Sequence, residues 1–366
     1  MQILFFVFLA AAAIQLIYFI AFNIAFSKKT KNGEAHPSLP ASVIICAHDE
    51  AANITTLIPA LLQQNYPEFE VIIVDDRSND STFDLLLAET KKDHRLRMVH
   101  VNRTPPHVNS KKYAITLGIK AARYEWIVLT DADCRPKNDQ WLLSLSKGFS
   151  ADTRFVLGYS PYLKARGFLN RMIRFETLLT AIQYLSFAIL GNPYMGVGRN
   201  LAYRRSFFLE AKGFNNLLHV TGGDDDLFVN QHARGATTRV VMEGAGMYSV
   251  PKTSWRSFFN QKVRHLSVGK HYRFGHRLML GLFMLTWLAT WFIGIPLMIF
   301  SPFLYWVLGV IAFRSLILLI TINRASRKLE EPFEGWAVVP LDFIYAFYYL
   351  VTGLAALLTR KVRWKN

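Results

Sequence analysis

Glu125-Trp126-Ile127-Val128-Leu129-Thr130-Asp131-Ala132-Asp133 is the stretch that decides the fold. Its short apolar run, bounded by polar residues, reads as a strand buried on both faces, and such strands belong to parallel sheets. The same pattern recurs upstream in Ser42-Val43-Ile44-Ile45-Cys46-Ala47, Glu70-Val71-Ile72-Ile73-Val74 and Arg97-Met98-Val99-His100-Val101. Between these runs lie stretches of helical spacing. They are Asn53 to Gln64, with Ile54, Leu57, Ile58, Leu61 and Leu62 on one side, then Ser81 to Lys91, and Ser110 to Arg123. This alternation predicts an α/β domain, a mostly parallel sheet with helices on both faces.

In such sheets ligands sit beyond the carboxyl ends of the strands. Two of the strands end there in acids, Asp75-Asp76 and Asp131-Ala132-Asp133. In an extended turn Asp131 and Asp133 share a face. Their hard oxygens suit Mg²⁺ or Mn²⁺, which bind through one or two carboxylates plus substrate phosphates. Asp75-Asp76 can hydrogen-bond a base or ribose, or simply cap a turn. A third group is Gly222-Gly223-Asp224-Asp225-Asp226, ahead of an expected helix to Arg234. Adjacent carboxylates repel unless one is protonated, solvated or paired with a cation, and glycine lets backbone approach a ligand closely. Gln261-Lys262-Val263-Arg264-His265 lies in a stretch, 244–277, with seven Lys+Arg and no acid. That charge reads either as flanking charge beside a membrane or as a guanidinium clamp for a pyrophosphate.

The chain has 366 residues, 52% of them hydrophobic, with 42 Lys+Arg against 26 Asp+Glu. The apolar residues cluster. Residues 3–26 carry no charge, 278–323 carry only Arg314, and 335–359 carry only Asp342. Twenty-four helical residues rise roughly 36 Å, enough to cross a bilayer core. The first run is expected to be an uncleaved anchor, because no basic residue precedes it and it is longer than a signal core. The second makes two spans with a turn at Ser301-Pro302. The third is a full crossing, or else a buried, re-entrant or interfacial helix. The intervening residues 27–277 hold 34 Lys+Arg and 22 Asp+Glu. Attraction to anionic lipid heads explains that excess, so no nucleic-acid partner is expected. Lys28 to Gly33 reads as a linker. Two cysteines, Cys46 and Cys134, exclude a disulfide scaffold and a cysteine-built zinc site.

Taken together and in order, these motifs resemble the family-2 inverting glycosyltransferases of the membrane-anchored bacterial type. Ser42 to Glu50 is similar to their SVIIPAYNE strand, and Glu70 to Asp80 to their strand ending in D-D-x-S-x-D. Lys111, Ala114 and Gly118 keep the spacing of G-K-x-x-A-L-N-x-G, with Ser110 for the first Gly and Thr116 for Asn. Asp131-Ala132-Asp133 falls at the metal-binding D-x-D, and Gly198 to Arg205 resembles the G-x-N-x-A-x-R-R strand. Asp226-Leu227 and Gly235 set the register of E-D-x-D-L, which puts Asp224 on the catalytic Asp and Gly223 where the family has Glu. His265 stands where processive synthases carry the Trp of Q-x-x-R-W.

The resemblance implies a GT-A-type fold with transmembrane helices at both ends. Residues 1–27 would be the anchor, 28–277 a cytoplasmic catalytic domain, and 278–366 a membrane region with two to three transmembrane helices. It implies a nucleotide-sugar donor, UDP-linked in the family pattern, bound by Ala47, Asp49, Glu50, Asp75, Asp76, Lys111 and Asp131. Mg²⁺ or Mn²⁺ would sit on Asp131 and Asp133. Asp224 would be the base, with Asp225 as the alternative. Gln261, Arg264 and His265 would serve the diphosphate or the acceptor. The acceptor would be a membrane lipid or lipid-linked glycan at the inner membrane. His265 and the small number of spans argue against a processive polysaccharide synthase. The retained Asp76, Asp131, Asp133 and Asp224 argue against a non-catalytic scaffold.

Two segments carry expectations of their own. Met172 to Leu190 is read as an interfacial helix beside the site, with Phe175, Leu178, Leu179, Ile182 and Leu185 on its apolar face. A core helix is the alternative. With the catalytic domain inside, Lys28, Lys29, Lys31, Arg273, Arg277, Arg324, Arg327 and Lys328 obey the positive-inside rule. A full fourth crossing puts Arg360, Lys361, Arg363 and Lys365 outside, against that rule; it is still the expected course, since its length suffices and Asp342 lies near one end.

Overall fold

The computed structural model describes residues 1–28, 39–218 and 220–359. The expectations for Lys29, Lys31, most of the linker and the tail from Arg360 lie outside them. In chain order the elements begin α1 (Gln2–Ser27), β1 (Ala41–Ala47), α2 (Ala51–Leu62), β2 (Phe69–Asp76), α3 (Thr82–Glu89), β3 (Leu96–Val101), α4 (Ser110–Ala121) and β4 (Trp126–Asp131). Then come β5 (Cys134–Pro136), α5 (Trp141–Ser146), β6 (Phe155–Leu157), α6 (Phe168–Ile189), β7 (Leu201–Arg204), α7 (Arg205–Glu210), α8 (Asp226–His232), β8 (Thr238–Val240) and β9 (Met247–Ser249). Four helices close the chain: α9 (Trp255–Val268), α10 (Phe274–Phe300), α11 (Leu304–Lys328) and α12 (Gly335–Leu358).

The chain divides into two compact units. Among the described residues, one holds the sheet, within 39–163 and 188–251; the other holds 1–28, 164–187 and 252–359. Two stretches expected inside the catalytic domain, 164–187 and 252–277, therefore group with the long apolar helices.

The sheet unit has a seven-stranded sheet in the order β3-β2-β1-β4-β7-β6-β8. β3, β2, β1 and β4 run parallel, and β7 then pairs antiparallel with β4 and β6. The register sets Ala47 opposite Asp75 and Cys46 opposite Asp131, so the three acid-bearing ends open at one edge. β2 is buried along its whole length, which is why it reads as continuous apolar sequence. Ile54, Leu57, Ile58 and Leu61 of α2 pack into the core with Val43, Ile45, Val71 and Ile73. Gly118 of α4 lies where a Cβ would meet Ile44 Cγ2 at 2.7 Å, so a larger residue would push the helix off the sheet. The strand expected over Gly198 to Arg205 is shorter: Gly198–Asn200 is a 3₁₀ turn and Arg205 begins α7. Both cysteines are free thiols.

In the helical unit α1, α10, α11 and α12 are each long and apolar enough to cross a membrane. α1 runs against α10: Gln15 Nε2 donates to Phe283 O at 2.7 Å and Tyr18 OH to Met279 O at 2.7 Å. Arg314 of α11 is fully buried. Its guanidinium pairs with Asp342 of α12, and its Nη2 donates to Gln15 Oε1 at 3.2 Å. Trp291 Nε1 of α10 donates to Asp342 Oδ2 at 3.0 Å. Asp342 is thus tolerated by pairing inside the bundle, not by closeness to a helix end.

α6 departs from its interfacial reading. Phe175, Leu178, Leu179, Ile182 and Leu185 are buried, and so are Arg174, Glu176 and Gln183 on its other sides. Its charges are satisfied internally. Glu176 Oε1 lies 2.5 Å from Lys262 Nζ of α9, and Arg174 Nη1 lies 3.2 Å from Glu334 Oε2. α6 is a buried helix, as the alternative reading had it, but it groups with the apolar helices and not with the sheet.

Candidate functional site

The carboxyl ends of β1, β2 and β4 carry the expected acids, and hydrogen bonds latch the loops after β1 and β2 together. Asp49 N donates to Ser78 Oγ at 3.0 Å, and Asp49 Oδ1 accepts from Asn79 N at 2.7 Å. Glu50 N donates to Thr82 Oγ1 at 2.9 Å, while its carboxylate accepts from Asn53 Nδ2 at 2.6 Å. Asp75 is fully buried and meets His100 Nδ1 at 2.8 Å; Asp76 accepts from Arg77 Nε at 2.8 Å. Beside Arg77 opens a recess of ≈ 390 Å³, lined by Thr104, His107, Asn109, Val220 and Thr221 among others.

Lys111, in the first turn of α4, joins two of the acidic groups. Its Nζ lies 3.0 Å from Asp131 Oδ1 and 3.3 Å from Asp224 Oδ2. The Asn109 side chain caps this helix by accepting from Lys112 N. Burial alone would lower the Lys111 ammonium, but Asp131, Asp224 and Asp225 outweigh burial and hold it well above the ordinary lysine range. The three adjacent carboxylates thus have the cation they require. Burial pushes the Cys46 thiol well up, so it is a neutral lining group.

Asp224 and Asp225 are not equivalent. Asp225 Oδ2 accepts from Gly198 N at 2.6 Å, and its Oδ1 accepts from Asp226 N at 2.8 Å at the start of α8. Burial first, then Asp224, raises its pKa. Asp224 Oδ2 is buried and makes no hydrogen bond among the described residues, only its ion pair with Lys111. Gly223, standing where the family has Glu, takes φ +76°, and a Cβ there would meet Leu227 Cδ1 at 2.5 Å. The departure from the motif is required by the backbone.

Asp131 and Asp133 follow one another at the end of β4, two hard-oxygen donors. Among the described residues no group of three His, Cys, Asp or Glu gathers to hold a metal. The donor set therefore fits an ion that takes its remaining ligands from a substrate diphosphate, such as Mg²⁺ or Mn²⁺. Gln261, Arg264 and His265 lie on α9, in the helical unit.

Three residues of the sheet unit went unnoticed in the sequence. Lys112 is fully buried and donates to Val220 O and Gly222 O at 2.5 Å each, holding the loop that carries Asp224. Arg199 stacks over Tyr162 at 4.5 Å, and its buried Nη1 makes no hydrogen bond among the described residues. Tyr203 is fully buried, with its hydroxyl likewise unbonded. Arg199 and Tyr203 both lie inside the G-x-N-x-A-x-R-R motif, a signal that could have found them; Lys112 carried none.

Residues 42–210 match the family model for Glycosyl transferase family 2, across the strand ends just described. The stretch 42–210 belongs to this family. Among curated relatives of this glycosyltransferase, 4,4'-diaponeurosporenoate glycosyltransferase of Staphylococcus haemolyticus is 24% identical over 293 residues, covering 78% of this chain and 76% of that protein. Probable glycosyltransferase YdaM of Bacillus subtilis is 26% identical, covering 61% and 53%. Poly-beta-1,6-N-acetyl-D-glucosamine synthase of Staphylococcus epidermidis is 34% identical over 94 residues, covering 25% of this chain and 21% of that protein. The mannosyltransferase PcManGT of Pyrobaculum calidifontis, solved with GDP-Man and Mn²⁺, aligns with a TM-score of 0.61 at 15% identity, covering 98% of this chain and 99% of that one. At that identity the likeness is one of fold. The glycosyltransferase has the GT-A-type architecture, with four apolar helices at its two ends.

Proposed function

We propose that this glycosyltransferase moves a sugar from a nucleotide-sugar donor, UDP-linked, to a lipid or lipid-linked glycan at the membrane, with inversion. The observation that carries the reading is the double pairing of Lys111. It brings the D-x-D acid Asp131 and the candidate base Asp224 to one ammonium. A diphosphate end and an acceptor end of one reacting centre need that proximity.

In this reading Asp49, Glu50, Asp75 and Asp76 border the nucleoside and Ala47 lines its approach. Asp131 and Asp133 hold Mg²⁺ or Mn²⁺, which when bound neutralises charge on the leaving diphosphate. Lys111 adds a second positive charge beside Asp131. Asp224 takes the proton of the acceptor hydroxyl as its oxygen attacks the anomeric carbon and the bond to the diphosphate breaks. Asp225 holds Asp224 in place through Gly198 and Asp226. The role of Gln261, Arg264 and His265 toward diphosphate or acceptor rests on motif resemblance. The four apolar helices support an acceptor met at the membrane and an inner-membrane protein whose sheet unit, the catalytic part, faces the cytoplasm.

The test is nucleoside diphosphate release from a panel of UDP- and GDP-sugars, with lipid extract as acceptor and mass spectrometry of the product. A sugar-bearing lipid formed from one UDP-sugar, and lost in Asp224→Asn, supports the reading. Release from no donor, or a water-soluble free sugar used as well as any lipid, overturns it.

A further inference from the structure

Between α1 and α11 runs a groove of ≈ 450 Å³ lined by Ile20, Ile24, Ile317 and Ile320, with Asn23, Ser27, Lys28 and Arg324 as its polar lining. The isoleucines Ile20, Ile24 and Ile320 are 51%, 49% and 42% exposed, an open apolar floor on two helices long enough to span a bilayer. Ile20 and Ser27 are seven helical residues apart, about 10 Å along the axis. Apolar floor and basic rim therefore succeed one another along α1 as acyl chain and phosphate do in a phospholipid.

Among the described residues the rim keeps donors that nothing takes up. Arg324 Nη1 donates to Ser27 Oγ at 2.6 Å and Asn23 O at 3.3 Å, which fixes one edge of the guanidinium. Its Nη2 and Nε, and Lys28 Nζ, make no hydrogen bond or ion pair among the described residues. Among the described residues no acid lines the groove, and Arg327 and Lys328 add charge in the last turn of α11. An anchored guanidinium with a free fork suits a phosphate oxygen pair. A basic rim at a helix end meets the negative potential of anionic lipid heads.

We propose that this groove is a binding site for an anionic phospholipid of the surrounding bilayer. The phosphate sits on Arg324 and Lys28, and an acyl chain lies over Ile20, Ile24, Ile317 and Ile320. The site does not depend on the glycosyl-transfer reading. It predicts a preference for anionic over zwitterionic lipid on the order of tenfold from two cations near the surface.

Native mass spectrometry of the full-length protein, delipidated in detergent and titrated with phosphatidylglycerol or phosphatidylcholine, tests it. Phosphatidylglycerol should be retained about tenfold better. Arg324→Gln with Lys28→Gln should bring the two lipids level, while Arg324→Lys keeps most of the preference. Ile24→Trp, which fills the floor and leaves the rim intact, should reduce retention of both lipids and keeps the test open should the charge variant fail to fold. Equal retention of the two lipids by wild type would overturn the proposal. So would phosphatidylglycerol retention unchanged in the charge variant or in Ile24→Trp. Inorganic phosphate that displaces phosphatidylglycerol fully at equal concentration would also overturn it, since the acyl chain would then contribute nothing.

Discussion

Lys111 Nζ lies 3.0 Å from Asp131 Oδ1, so the D-x-D acid is already neutralised before any donor arrives. A metal that takes Asp131 must share it with that ammonium. Lys111→Met is therefore expected to slow turnover by about 10²-fold through loss of a positive charge at the diphosphate. It should also tighten Mn²⁺ binding in the absence of donor by roughly tenfold, the scale of removing one nearby like charge. Titration calorimetry checks the second effect. Unchanged Mn²⁺ affinity would mean that Lys111 and the ion do not compete.

Asp224 and Asp225 should separate cleanly by mutation. Asp224→Asn is expected to cost about 10²–10⁴-fold in rate with donor affinity kept, as loss of a general base does. Asp225→Ala removes a cap and a bond to Gly198 N, so it should cost about 1–3 kcal/mol of stability. Thermal melts and turnover on both variants decide the matter. A fully active Asp224→Asn beside a stable but inactive Asp225→Ala would shift the register by one.

Metal removal gives a third check. EDTA should abolish transfer, with Mg²⁺ or Mn²⁺ restoring it, and Asp133→Asn should remove most activity while leaving the melting temperature in place. Full activity in EDTA together with an active Asp133→Asn would end the metal assignment.

Glu334 supplies a pH dependence outside the spans. Burial tends to raise its pKa, but Lys164 and Arg174 override burial and bring it to about 2. A depressed carboxylate contributes stability above its unfolded pKa of about 4.3 and loses it as pH falls toward about 2. Glu334→Gln should lower the melting temperature at pH 7, and the gap to wild type should close between about pH 4 and pH 2. A gap that stays constant over that range would show that charge is not what Glu334 contributes.

The course of α12 can be read by labelling. Gly335 lies near Leu319 and Asp342 pairs with Arg314, so α12 starts back against α11 and has 24 residues in which to cross. A single cysteine at Thr359, in a Cys46→Ser, Cys134→Ser background, should react with an impermeant maleimide in intact cells. Protection until permeabilisation would make α12 re-entrant.

The parallel half of the sheet was legible because its strands are buried on both faces. β1 to β4 and the helices between them fall within a few residues of the apolar runs that announced them. β5, β6, β8 and β9 have three residues each, too few for any periodicity to register. The antiparallel entry of β7 next to β4 is set by tertiary pairing, not by its own residues. α6 reads as interfacial from the apolar face of Phe175, Leu178, Leu179, Ile182 and Leu185; only the fold supplies Glu334 and Lys262 as the partners that let Arg174 and Glu176 be buried as well. At the site the acids were visible as motifs. Lys112 was not, since a lysine next to Lys111 looks like solvated charge until Val220 O and Gly222 O are found on it.

The buried pair of Arg314 and Asp342 bears on how the protein is made. Each charge sits within an otherwise apolar span, and an unpaired arginine or aspartate at the centre of a helix costs about 2.5–3.5 kcal/mol to insert. α11 and α12 are joined by a short connection, so the two charges leave the ribosome less than thirty residues apart. With α11 and α12 crossing the membrane as proposed, the C-terminal hairpin would best be inserted as a unit, Arg314 waiting at the membrane surface or in the insertion channel until Asp342 is synthesised. Truncation of the chain before Asp342 would strand a charged helix and mark the product for degradation, even though every residue of the sheet unit had already been made.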